Sequence, residues 1–175
     1  MRSSDTIAYL HHCIANTAMN HTELTISTNH LAMDLDMIHA FLTEHTAWAR
    51  GISRETVAQS LEGSLCFGGF VGAKQVAFAR LVTDYATFGY LCDVFVLEPF
   101  RGQGYAKALM RAVFESPMTR KLRRIVLVTT DAHAVYGPFG FAPVSHPERY
   151  MELHRPDIYT SRDDKENPRM NESSV

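Results

Sequence analysis

A glycine-bearing junction between a predicted strand and a predicted helix constrains this chain more than any other feature of its sequence. Residues 88–97 form a near-continuous apolar run, which predicts a strand buried on both faces, and the charged Asp93 interrupts it. Residues 104–116 carry apolar side chains at the i, i+3, i+4, i+7 spacing of an amphipathic helix, which Pro117 ends. The short loop between them leads a strand directly into a helix, and this order is typical of α/β domains.

This junction predicts a site for an anion. A loop that enters a helix directs unpaired backbone N–H groups and the positive end of the helix dipole at one point. Gly102 and Gly104 fit such a loop, because a Cβ would block close approach of a ligand or forbid a positive φ. Each charge interaction at a helix end contributes only about 0.3 to 1 kcal/mol, so several N–H groups must act together, most naturally on a pyrophosphate.

Several interpretations of the loop compete. It lacks the Gly-Lys-Ser/Thr of a nucleoside-triphosphate P-loop, and Lys107 stands where a dinucleotide fingerprint has its third glycine, although Asp131 keeps that interpretation open. A tight turn without any ligand is a further alternative. The pattern Arg/Gln-x-x-Gly-x-Gly/Ala is met by Arg101, Gly104 and Ala106. In this pattern the chain resembles the GNAT superfamily of acetyl-CoA-dependent N-acetyltransferases.

A second segment strengthens the resemblance. In this superfamily a tyrosine followed by Gly-Phe often follows the fifth strand, and here Tyr136-Gly-Pro-Phe-Gly-Phe141 follows a predicted strand at residues 125–129. Asp131 is predicted to cap a short helix that reaches Phe139 and carries Tyr136, and Gly140 to end it. The resemblance covers about residues 24–153 and implies one α/β (α+β) domain, with a mixed, mostly antiparallel sheet of about seven strands and about four helices.

The remaining patterns agree with this strand and helix count. A strand is predicted at residues 24–27, helices after Asp34 and Ser53, and a hairpin of residues 65–71 and 75–83. Two final strands are predicted at residues 141–142 and 150–153. We divide the chain into an extension at residues 1–22, an N-acetyltransferase domain at 23–154 and a polar tail at 155–175. Of the 21 tail residues 9 are charged, so disorder is expected there.

The resemblance assigns cofactor contacts to two adjoining segments. The strand around Val94, Phe95 and Val96 would splay from its neighbour and pair with the pantetheine amides of acetyl-CoA, and one of its N–H groups would polarise the thioester carbonyl. The loop would hold the pyrophosphate mainly through its backbone, with the Arg101 side chain as an anchor. The loop residues are Arg101, Gly102, Gln103, Gly104, Tyr105 and Ala106.

Tyr136 is the candidate general acid. A phenol with a pKa of about 10 is protonated at neutral pH and can donate a proton to a departing thiolate, whose parent thiol has a pKa of about 8.5. The alternative is a core tyrosine with a satisfied hydroxyl.

Asp93 is the second catalytic candidate, because an acceptor amine must lose a proton. An amine of pKa about 10.4 is unprotonated in roughly one molecule in a thousand at neutral pH, a penalty of about 4 kcal/mol. Asp93 could take that proton, recruit the ammonium as a counter-ion, or serve only as a buried structural carboxylate. Related diamine acetyltransferases often have two adjacent acids here, whereas this chain has Cys92 in the first place.

Weaker assignments complete the site. The aromatic residues Trp48, Tyr85, Phe88 and Tyr90 could line the acceptor pocket, with ordinary core positions as the alternative. Cys92 could be a nucleophile, but direct attack by the amine is what the resemblance implies.

Composition excludes other classes of protein. A net charge of -2 argues against bulk-charge binding of nucleic acid, and no stretch is long and apolar enough for a membrane span. The three cysteines match no disulfide or zinc spacing, and no two histidines recur at i, i+4, so we expect a cytoplasmic protein without metal.

We therefore predict acetyl transfer from acetyl-CoA to a primary amine of a small molecule or peptide. The alternative is a CoA-binding sensor or scaffold without turnover, and a nucleotide-dependent oxidoreductase is a more distant one. Oligomeric state is left open, with a homodimer as one option.

Overall fold

Five strands form one sheet in their sequence order, and the computed structural model describes residues 23–159 of the chain. The first four strands pair antiparallel, and the fifth runs parallel to the fourth. They are β1 (Leu24–Ser27), β2 (Ser64–Val71), β3 (Lys74–Thr83), β4 (Phe88–Val96) and β5 (Arg124–Val126). This mixed, mostly antiparallel α/β architecture confirms the predicted fold class.

The predicted helix starts after Asp34 and Ser53 are also confirmed. The Asp34 carboxylate accepts a hydrogen bond from the Met37 N–H at 3.0 Å, and the Ser53 hydroxyl accepts one from the Thr56 N–H at 3.1 Å, so each satisfies an N–H that the first turn leaves free. The helices are α1 (Leu35–His45), α2 (Arg54–Glu62), α3 (Tyr105–Glu115), α4 (Pro117–Arg120) and α5 (His133–Tyr136).

Helices cover both faces of the sheet and create two apolar cores. On one face Leu109, Met110 and Val113 of α3 are fully buried against the sheet. On the other face Ile38 of α1 and Val57 of α2 are fully buried with strand side chains. The amphipathic spacing predicted for α3 therefore corresponds to its packing.

The prediction that β4 is buried on both faces is wrong. Phe88 and Tyr90 are exposed, whereas Phe95 further along the strand is buried under the first helices. The core beneath α1 and α2 is built around Phe78 and Phe95, so the beginning of β4 lies outside it. An apolar run alone does not show where the covering helix ends.

Three further predictions for the C-terminal half are wrong. β5 ends at Val126 rather than Thr129, and Val128 beyond it is 83% exposed. Residues 141–142 and 150–153 form no strand, so the described sheet has five strands rather than about seven. Two prolines, Pro143 and Pro147, lie between those segments and lack the N–H that a ladder needs.

Asp131 does not cap α5, whose N-cap is Ala132. The helix ends at Tyr136, and Gly137–Phe139 continues as a single 3-10 turn because Pro138 cannot extend an α-helix. Gly140 follows with a φ of +89° and ends the turn as predicted.

The last described residues return to the loop between α1 and α2. A Cβ at Gly51 would lie 2.6 Å from the Tyr159 carbonyl oxygen, so only glycine allows this approach. The predicted extension at residues 1–22 and residues 160–175 of the tail predicted at 155–175 lie outside the described residues, whereas residues 156–159 of that tail form a turn. Within residues 23–159 no helix is long and apolar enough to cross a membrane.

Candidate functional site

The edge of β4 opens where β5 leaves it. The ladder joins Phe88–Tyr90 only to Arg124–Val126, and beyond this no described strand pairs with that edge of β4. The Leu97 N–H donates to the Val76 carbonyl on the β3 side at 2.9 Å. Because successive residues of a strand direct their backbone groups to alternate edges, the groups of Val96 face the opening. This edge can accept an extended ligand as an added strand.

The loop before α3 presents free backbone donors beside this edge. Gly102 and Gly104 have φ values of +75° and +81°, as the sequence predicts. No described residue accepts a hydrogen bond from the backbone N–H groups of Gly102, Gln103, Gly104 or Ala106. No atom beyond the adjacent residues lies within 4 Å of a Cβ built on either glycine, so the loop is open to an anion.

Two side chains of the loop make structural contacts. The Arg101 Nε donates to the Val96 carbonyl oxygen at 3.1 Å, which ties the loop to the end of β4. Tyr105 is 6% exposed and packs in the core under α3, so only its backbone can face a ligand.

A cleft of about 450 Å³ brings these elements together. One wall is the open part of β4 with Arg101 and Ala106, the second is the segment of α5, and the third is the end of α1 with the loop that follows. The lining residues are Phe41, Leu42, His45, Thr46, Trp48, Asp93, Val94, Phe95, Val96, Arg101, Ala106, Asp131, Ala132, Val135 and Tyr136.

Tyr136 stands in this cleft with chemistry suited to an acid. Burial raises the pKa of its phenol above the ordinary value, so the hydroxyl keeps its proton at neutral pH. Its hydroxyl makes no hydrogen bond to another described residue. The ring meets Phe141 edge-on, with centroids 6.0 Å apart, and this contact orients the side chain.

Asp93 also lines the cleft, but its carboxylate has a partner. The Arg80 Nε donates to Asp93 Oδ2 at 2.7 Å, and only 8% of the Asp93 side chain is exposed. The Asp93 backbone has a φ of +51°. The neighbouring Cys92 is not suited to nucleophilic attack, because burial and the Asp93 charge raise the pKa of its thiol to about 12.

The aromatic candidates for the acceptor side separate into two groups. Trp48 lines the cleft and is 66% exposed. Phe41, which the sequence did not single out, also lines the cleft. Its ring stacks on that of Phe95, with the ring centroids 3.7 Å apart. Tyr85 and Tyr90 lie near the β3–β4 turn and do not line the cleft.

The sequence interpretation missed Arg80, His45 and Val135, and assigned Asp131 only to capping or a dinucleotide contact. Arg80 carried a usable signal, since it interrupts the apolar run of β3 just as Asp93 interrupts that of β4. His45 and Val135 carried none, because their place in the cleft depends on how α1 and α5 are packed.

Comparison with known proteins agrees with this architecture. Residues 35–141 match the model of the acetyltransferase (GNAT) family. The crystal structure of a Xanthomonas campestris protein assigned to the GNAT family is 47% identical, covers 79% of this chain and 98% of its own, and has a TM-score of 0.77. A Gibberella zeae protein named as an acetyltransferase is 29% identical over 132 residues, covering 64% of this chain and 75% of that protein.

A more distant structure shares the fold alone. A Clostridium acetobutylicum protein described as an acetyltransferase and crystallised with acetyl-CoA is 14% identical, covers 75% of this chain and 95% of its own, and has a TM-score of 0.54. The family model spans more than half of the chain, and the Xanthomonas relative covers more than two thirds of it. The chain therefore belongs to the GNAT family of acetyltransferases.

Proposed function

We propose that the protein transfers the acetyl group of acetyl-CoA to a primary amine of a small molecule or peptide by direct attack of the amine. The observation that carries the proposal is the junction of the unpaired β4 edge with the open amide loop before α3, both on the cleft that holds Tyr136. The distant relative crystallised with acetyl-CoA supports the same donor.

The cofactor would bind along these two features. The pantetheine amides pair with the backbone groups of Val94 and Val96 as an added strand. The pyrophosphate accepts hydrogen bonds from the backbone amides of the loop, in which Gly102 and Gly104 have positive φ values. Arg101 holds the loop against Val96 rather than carrying the charge recognition alone.

The chemistry needs one new bond and one broken bond. The amine nitrogen attacks the thioester carbonyl carbon, and the Val94 N–H stabilises the negative charge that develops on the oxygen. The carbon–sulfur bond then breaks, and Tyr136 gives its proton to the thiolate. The proton that the acceptor loses passes either to water or to Asp93, two routes that the variants described below separate.

The acceptor amine would enter the cleft beside Trp48 and Phe41, which line it, and both aromatic side chains would contact the acceptor. The expected place of action is the cytoplasm, in line with the absence of a disulfide spacing in the sequence.

Turnover tests this proposal directly. The purified chain is mixed with acetyl-CoA and a panel of primary amines, and free CoA thiol is followed together with the mass of the acceptor. We expect thiol release that depends on the amine and adds one acetyl group to it. Acetyl-CoA binding by calorimetry without turnover on any amine would favour the non-catalytic CoA-binding alternative, and no binding would refute the proposal.

A further inference from the structure

A buried ion pair crosses from β3 to β4 beside the cleft. The Arg80 Nε lies 2.7 Å from Asp93 Oδ2, and the two side chains are 17% and 8% exposed. Since water is largely excluded, each charge depends on the other for its compensation. Removing either partner alone leaves an uncompensated charge next to the open strand.

The guanidinium is fixed on its other side as well. Its Nη1 donates to the Ser64 hydroxyl at 3.2 Å and to the Ser60 carbonyl at 3.4 Å. Arg80 therefore joins β4 to the start of β2 and the end of α2. A rigid fork with several partners holds a carboxylate in one place better than a flexible ammonium does.

The backbone at Asp93 needs such a restraint. The pairing of β3 with β4 shifts register here, so that Asp93 and Val94 together stand opposite the single residue Ala79. This is a β-bulge, a feature that redirects the strand and its groups. The φ of +51° at Asp93 is uncommon for a residue with a side chain and persists only where its surroundings enforce it.

The bulge leads directly into the functional edge. Val94 follows Asp93, lines the cleft and lies on the part of β4 that β5 leaves unpaired. The Asp93 Oδ2 already accepts a hydrogen bond from the Arg80 Nε at 2.7 Å, so this oxygen is engaged in the ion pair and is not free to take a proton from the acceptor. The thiols and the phenol that interact electrostatically with Asp93 stay neutral near pH 7. Burial raises the pKa of the Cys66 thiol to about 11, that of Cys92 to about 12, and that of the Tyr90 phenol above its ordinary value.

We propose that Arg80 is a positioning residue, which acts through Asp93 to hold the β4 bulge that presents the Val94 N–H to the thioester oxygen. This inference rests on the proposed function, since the thioester is that of acetyl-CoA. It assigns Asp93 to the same positioning unit and not to proton transfer or to recruitment of the ammonium.

Three single variants separate the roles. Asp93→Asn keeps an oxygen that accepts from Arg80 and tolerates a positive φ, so we expect kcat within about tenfold of the wild type and an unchanged pH profile. Arg80→Met removes the restraint, and we expect kcat to fall by about 100-fold, the scale of a misplaced oxyanion donor. The acetyl-CoA KM should change little in both, because the loop before α3 is intact. Arg80→Lys should recover part of the lost kcat.

A control uses a second ion pair that also joins an arginine Nε to an aspartate. The Arg54 Nε lies 2.6 Å from Asp36 Oδ1 on the exposed surface, outside the cleft. Arg54→Met should leave kcat unchanged. If Arg80→Met does not fold, Arg80→Met/Asp93→Asn carries the test, because it leaves no unpaired buried charge. We expect this double variant to bind acetyl-CoA like the wild type while its kcat remains at least tenfold low.

The outcomes distinguish the alternatives. Loss of kcat and of one limb of the pH profile in Asp93→Asn would make Asp93 the base, and a rise in the amine KM alone would make it the recruiter. Either result overturns the inference, as does an unchanged kcat in folded Arg80→Met or in the double variant. A wild-type protein that neither binds nor uses acetyl-CoA would overturn the proposed function itself, and the inference with it.

Discussion

Tyr136 shows how a single side chain acquires its role from its surroundings. Partial burial raises the pKa of the phenol and so preserves the proton that a departing thiolate needs. Because its pKa is raised, the Tyr136 phenol stays protonated up to a higher pH than a solvated tyrosine does. Loss of rate from ionisation of Tyr136 is therefore expected only above pH 10.

Replacement of Tyr136 by Phe tests that role. We expect Tyr136→Phe to lower kcat by about 100-fold or more, the ordinary contribution of a general acid, while the affinity for acetyl-CoA is retained. Thiol release measures the first quantity and calorimetry the second. Tyr150→Phe is the control, since Tyr150 carries the same phenol but is 48% exposed and lies outside the cleft. Equal turnover in the two variants would contradict the assignment.

At the same scale, the sequence predicted the position of Tyr136 in the last turn of its helix and the positive φ of the loop glycines, because each depends on its immediate neighbours. Gly102 and Gly104 adopt the positive φ that their place between strand and helix demands. The partner of Asp93 could not be identified in this way. Arg80 lies 13 residues away, and only the register of β3 on β4 brings the two charges together.

The loop before α3 is the element that would bind the coenzyme, and its backbone dominates the proposed contact. We expect Gly104→Val to weaken acetyl-CoA binding more than tenfold, because a branched side chain at positive φ costs about 1 to 2 kcal/mol and also fills the approach to the amides. Arg101→Ala removes one hydrogen bond to Val96, worth about 1 kcal/mol, and should weaken binding less. Calorimetry compares the two affinities.

A third glycine provides the control for this comparison. Gly72, in the turn between β2 and β3, has a φ of +60° and the same open space around a built Cβ. Gly72→Val should therefore carry similar backbone strain but leave acetyl-CoA affinity unchanged. Equal losses for Gly104→Val and Arg101→Ala would indicate recognition by the side chain instead of the backbone.

Elements with strong local signals were predicted closely, whereas elements defined by their neighbours were not. β1 has the predicted bounds, and α1 and α2 begin at the predicted caps. β4 was predicted to be buried on both faces, but Phe88 and Tyr90 lie beyond the core under α1 and α2. The strands predicted at 141–142 and 150–153 need a partner edge, and the chain beyond Val126 has already diverged from β4.

For the whole molecule, the cleft is a consequence of how two cores share one sheet. α3 packs on one face while α1 and α2 pack on the other, so the splayed edge of β4 lies between them. Neither core alone defines the site. Sequence patterns show which residues are apolar. They do not show how the helices pack on the two faces of the sheet, and this packing brings Trp48 and Tyr136 into one cleft.

The stability of the folded protein should depend on the ionisation of one carboxyl group, that of Asp84 in the turn between β3 and β4. The Asp84 carboxylate accepts hydrogen bonds from the N–H groups of Ala86, Thr87 and Phe88 and from the Thr87 hydroxyl, at 2.6 to 3.0 Å. The Thr87 hydroxyl bond and these backbone bonds hold the pKa of Asp84 well below its ordinary value of 3.8. The turn fixes the register of β3 on β4, and with it the Arg80–Asp93 pair.

A carboxyl group whose pKa is depressed on folding stabilises the native state above its unfolded pKa and loses that contribution as the pH falls toward the folded value. We therefore expect Asp84→Asn to lower the melting temperature at pH 7, and the gap to the wild type to close as the pH falls below about 4. Thermal unfolding followed by circular dichroism over a pH series measures both effects. Asp157→Asn, at an exposed carboxylate without a hydrogen bond to any described residue, should leave the melting temperature at pH 7 unchanged. A difference between Asp84→Asn and the wild type that stays constant down to pH 2 would mean that the turn is held by its shape and not by the charge of Asp84.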